Sequence, residues 1–121
     1  AASVVAGCAD FEFMRLTMVV GEAMTKGLQQ QGINIGRVNY QDMGNWSVFS
    51  PEGPYFHLHL YGRAKDAKIQ KYGDAVHLPQ RETGFYDKFE PLNNEDIIQV
   101  KKQIELILKE EKYQGDKWGL V

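Results

Sequence analysis

The chain has three histidines, and two of them, His57 and His59, lie two positions apart in the segment YFHLHLYG, residues 55–62. The alternation of side-chain character predicts a β-strand, in which alternate residues share a face at roughly 6.5–7 Å spacing. One face then carries Tyr55, His57, His59 and Tyr61, while Phe56, Leu58 and Leu60 point toward a core. Every group with proton chemistry collects on the first face. An imidazole with a free lone pair attacks phosphorus, and a neighbouring histidine can hand a proton to a leaving oxygen near neutral pH. The same pair suits a metal ion, with His77 as a third ligand. A polar, solvated side of an antiparallel sheet would alternate in the same way. Spacing alone does not separate these readings.

The flanking residues bear on the choice. Pro54–Arg63, PYFHLHLYGR, resembles the signature of the histidine-triad (HIT) superfamily, which is His-x-His-x-His, two hydrophobic residues, then Gly or Pro before Arg. His57 and His59 match the second and third histidines, Gly62 and Arg63 match the end, and Tyr55 stands in the slot of the first histidine. Upstream, Asn39, Gly44, Trp46, Ser47 and Val48 fill the places of the family's Asn, its Gly-containing turn and its Gln-Ser/Thr-Val element. Trp46 stands where the family has Gln, and about five residues around 50–54 are inserted. The resemblance covers most of residues 3–63.

What the resemblance implies is specific. His57 would attack the α-phosphate of a nucleotide derivative and form a nucleotidyl-histidine, which water or an acceptor then resolves. His59 would contact the phosphate or assist the leaving group. Ser47 and Asn39 would hydrogen-bond phosphate or leaving-group oxygens. Tyr55, Trp46 and Arg63 are expected at the substrate; a phenol with a pKa near 10 donates a hydrogen bond but shuttles protons poorly at neutral pH. The implied activity is a hydrolase or transferase of the nucleotide phosphoramidate or dinucleoside polyphosphate type, with no cofactor and no metal, in a two-fold homodimer. Two alternatives stand beside it: an HxH metal enzyme using His57 and His59, and a nucleotide-binding module without turnover.

The elements that must position these residues read as one α+β domain over residues 1–121, HIT-like in arrangement, with an antiparallel sheet, one long helix packed on it and a C-terminal helix. A composition of 43% hydrophobic and 25% charged residues is that of a folded globular chain. Fourteen basic against sixteen acidic side chains argue against a dedicated nucleic-acid surface. The single cysteine, Cys8, excludes an internal disulfide and reads as a small buried residue. No apolar stretch is long enough to span a membrane and no signal-peptide pattern is present, so a cytoplasmic setting is expected.

Along the chain, residues 3–7 read as the end of a strand, and Asp10 as the cap of a helix running to about Gln31, with Gly32 as its stop. Phe13, Leu16, Val20 and Ala23 mark its buried face, widened by Met14, Met18 and Met24. Strands are expected at 33–40, 46–49 and 55–62, with a loop at 50–54. Residues 64–92 read as a long irregular arm, a length that is usually functional or mobile. Arg63, Lys65, Lys68 and Lys71 form a basic cluster at its start. Asn94 is expected to cap a helix to about Lys112, burying Ile97, Val100, Ile104, Ile107 and Leu108. Trp118 should dock the tail, and Phe85, Tyr86, Phe89 and Trp118 are candidates to meet a second copy.

Overall fold

A computed structural model describes residues 8–44, 47–53 and 55–120, with side chains from residue 10 onward. The expected strand at 3–7 and the Cys8 side chain lie outside the described residues. Helix α1 spans Cys8–Gln30, so Asp10 sits inside its first turn rather than capping it. Its end is built as expected. The Ile33 amide donates to the Leu28 carbonyl and the Gly32 amide to that of Gln29, each at 3.0 Å, with Gly32 at φ +81°. Those paired bonds form a Schellman stop, which needs a residue that tolerates the left-handed region.

Helix α2 spans Asn94–Ile107 and is capped one residue earlier than expected. The Asn93 side chain accepts from the Asp96 amide and the Asp96 carboxylate accepts from the Asn93 amide, both at 2.9 Å. This reciprocal pair satisfies two amides, and Asn94 has no equivalent partner three residues on, where Ile97 stands. The helix ends at Ile107, and 3₁₀ turns at Glu111–Tyr113 and Gly115–Trp118 replace the expected last helical turn. Trp118 docks as expected: its indole donates to the Lys112 carbonyl at 2.9 Å and stacks on Tyr113.

The core lies between the helices. Val19, Ala23, Ile107 and Tyr113 are buried, with Met18, Val100, Ile104 and Leu108 packed around them. At Gly27 a Cβ would meet the Val100 backbone at 2.9 Å, so the absent side chain is what lets α2 approach this closely. The expected face of α1 is displaced, because the core is centred further along the helix. Phe13 and Leu16 are 41% and 39% exposed, and Ile97 on α2 is exposed as well.

Among the described residues the sheet has two strands, not three. β1, Ile35–Gln41, pairs antiparallel with β2, His59–Ala64. Gly36 forms a bulge, since Ile35 faces Ala64 while Arg37 faces Arg63. β1 stops at Gln41 opposite His59, so residues 55–58 have no ladder partner among the described residues and the expected strand shortens to its second half. The expected strand at 46–49 is a turn where described. Ser47 returns both its amide and its hydroxyl to the Gly44 carbonyl, and the Ser50 amide bonds Ser47. Such local bonds compete with a ladder, and Pro51 follows directly. α1 covers the sheet face opposite the histidines: the Tyr40 hydroxyl lies against Gly21, and the Phe13 and Phe56 rings meet at 5.4 Å.

From Lys65 to Leu92 the described arm holds no helix or strand beyond a 3₁₀ turn at Arg81–Thr83. It is nevertheless folded. Phe85, Tyr86 and Phe89 pack edge-to-face at 5.2–5.7 Å, and Trp118 lies on Tyr113, so the aromatics expected to meet a second copy pack within the chain.

Candidate functional site

The four aromatic side chains at 55, 57, 59 and 61 form a row. Ring centroids stand 5.1 Å apart for Tyr55 and His57, 4.8 Å for His57 and His59, and 5.8 Å for His59 and Tyr61, the last pair parallel within 3°. Directly opposed residues of an antiparallel pair share a face, so Asn39 opposite Tyr61 and Gln41 opposite His59 lie on the histidine side. Gln41 holds its Oε1 buried with no protein partner among the described residues. A buried acceptor of this kind calls for a donor from water or a ligand.

His57 sits in the unpaired stretch before β2, and its Nδ1 lies 2.9 Å from the Tyr55 carbonyl oxygen. A carbonyl only accepts, so Nδ1 carries the proton in this bond. In the uncharged ring the lone pair then falls on Nε2. The backbone thereby selects which nitrogen can act as nucleophile or ligand.

A cavity of about 880 Å³ opens beside the pair. His57, His59, Tyr61 and Met43 line it together with Leu78, Arg81, Tyr86 and Asp87 from the arm. Burial, with a smaller contribution from Tyr86, pushes the Tyr61 phenol above its ordinary range. No family model matches the chain, and no curated protein or solved structure does. The site's chemistry rests on its own groups.

The structure brings His57 and His59 together at the cavity and sets Tyr55 against His57 with its side chain largely exposed. Asn39 shares their face without lining the cavity, and Ser47 is spent on its own turn. Trp46 lies outside the described residues. Arg63 is not at the cavity. It is buried, and its guanidinium donates to the Lys71 and Asp74 carbonyls, each at 2.8 Å. An arginine satisfied by two carbonyls of the arm is a clamp, so its expected place at the substrate is corrected.

His77 also stands apart, with its ring edge-on to Phe85 at 5.1 Å and its backbone held by the Gln70 amide. Among the described residues no three His, Cys, Asp or Glu side chains are placed to hold a metal ion, and no helix is long and apolar enough to cross a membrane. Sequence reasoning missed Arg81, Tyr86 and Asp87. The available signal was the mixed charged and aromatic run RETGFYD within a long irregular segment.

Proposed function

We propose that the chain is a nucleotide hydrolase or nucleotidyl transferase of the HIT type, with His57 as nucleophile and a HIT-like frame around it. The observation that supports this best is the His57 hydrogen bond to the Tyr55 carbonyl, which leaves Nε2 as the attacking atom at an open cavity. In the reaction, Nε2 forms a bond to the α-phosphorus while the bond from phosphorus to the leaving oxygen or nitrogen breaks. The leaving atom takes a proton from His59 or from solvent. Water or an acceptor hydroxyl then attacks phosphorus from the opposite side, releases the product and restores the imidazole. The HIT resemblance of residues 54–63 and the side-by-side placement of His57 and His59 support the same reading.

The test is turnover of an adenosine phosphoramidate and of a dinucleoside polyphosphate by wild type and His57→Ala, with mass spectrometry of the quenched protein. Wild type should turn over and carry a nucleotidyl adduct, while His57→Ala should do neither yet still bind AMP. Turnover at the wild-type rate by His57→Ala would end this mechanism for the chain.

A further inference from the structure

We infer that the arm recognises the substrate's anionic end, with Arg81 holding phosphate oxygens beyond the reacting phosphorus; nucleoside di- or polyphosphates are then preferred over phosphoramidates of neutral amines. This rests on the reading above, in that a nucleoside phosphate must occupy the cavity. Among the described residues that line it, Arg81 is the one lysine or arginine. Asp87 lines the same cavity, yet no carboxylate among the described residues lies within ion-pair distance of Arg81. Both charges therefore stay available to a ligand.

A guanidinium matches phosphate with two parallel hydrogen bonds, and it keeps its charge at any working pH. Attack at the α-phosphorus drives negative charge onto the departing phosphate. A cation near the departing group stabilises that charge, and Arg81 lines the same cavity as His57 and His59.

The wall is preorganised. The Tyr86 hydroxyl donates to the Pro79 carbonyl at 2.8 Å, so that donor is already engaged within the arm. Phe85 and Phe89 hold the Tyr86 ring edge-on. The Gly84 amide closes the turn onto the Arg81 carbonyl at 3.1 Å with Gly84 at φ +71°. An aromatic side chain beside a cation and a carboxylate that have no ion-pair partner among the described residues suits a nucleoside phosphate: the aromatic group contacts the base, the guanidinium takes phosphate, and the carboxylate accepts from sugar or base donors.

The experiment is calorimetric titration of ADP and AMP into wild type, Arg81→Ala and Arg81→Lys, with steady-state kinetics on a dinucleoside polyphosphate and an adenosine phosphoramidate. Arg81→Ala should weaken ADP binding about tenfold or more, as expected for loss of a charged hydrogen-bonding group, and AMP binding much less. Its kcat/KM should fall on the polyphosphate while that on the phosphoramidate is little affected, and Arg81→Lys should recover part of the loss. ADP binding by Arg81→Ala equal to wild type, or no ADP binding by wild type, overturns the inference. ADP bound through Arg81 without any turnover would defeat the proposed reaction and leave this binding role standing.

Discussion

At the scale of single residues, Tyr55 is the informative departure. Its ring stands 5.1 Å from that of His57 and is 74% exposed, so a smaller imidazole can replace it without opening a buried hole. Its backbone carbonyl, which orients His57, remains whatever the side chain. Tyr55→His is therefore expected to raise turnover by adding a group that exchanges protons near neutral pH, and Tyr55→Phe to change it little. His59→Ala should cost about 10²–10⁴-fold, the usual span for a lost proton-transfer group, and less than His57→Ala. Steady-state rates on one substrate decide the order; Tyr55→His slower than Tyr55→Phe would remove the proton-exchange argument. The histidine face was legible because period two and the chemistry of imidazole both pointed to it. The place of Arg63 was not, because a guanidinium binds backbone carbonyls as readily as phosphate, and only the path of the arm decides which it meets.

Among the elements, the arm matters most to the site, since it supplies half of the cavity wall. It is tied to β2 by the Arg63 guanidinium through the Lys71 and Asp74 carbonyls, and it is braced by Gln70 on His77. Removal of a buried arginine that satisfies two carbonyls leaves both acceptors without a donor. Arg63→Ala should make residues 65–80 a preferred site of limited proteolysis and weaken substrate binding, while the helical circular dichroism of α1 and α2 persists. Arg63→Lys should rescue only in part, since one ammonium does not reproduce the planar fork. Cleavage no faster than in wild type would show that the arm holds without the clamp. The two helices, the Gly32 stop and the lack of regular structure in the arm were legible from periodicity and turn residues. Among the described residues the strand expected at 46–49 is a turn, because Ser47 bonds locally to Gly44, and β1 ends before it can pair with residues 55–58.

For the whole molecule, the decisive contact joins the tail to the first helix. Glu22 on α1 accepts from Tyr113 at 2.9 Å and pairs with Lys112 at 2.8 Å and with Lys26 at 2.8 Å. Arg15 reaches the Tyr113 carbonyl at 2.8 Å from the same helix. Burial alone would raise the Glu22 pKa, but the bonds from Lys112, Lys26 and Tyr113 outweigh it and hold the carboxyl at about 2. The same arrangement, burial first and the bond to Glu22 next, pushes the Tyr113 phenol up to about 12. A carboxyl with a lowered folded-state pKa stabilises the fold above its ordinary value near 4.5 and ceases to do so as pH falls toward 2. Lys112 and Lys26 are about half exposed, so solvent screening reduces the contribution to about 1–2 kcal/mol. Glu22→Gln should therefore lower the urea midpoint at pH 7, and the gap from wild type should narrow as pH is brought from 5 to 3. A gap that stays constant over that range would show that Glu22 acts through packing and neutral hydrogen bonds, since only the charged form loses its advantage on protonation.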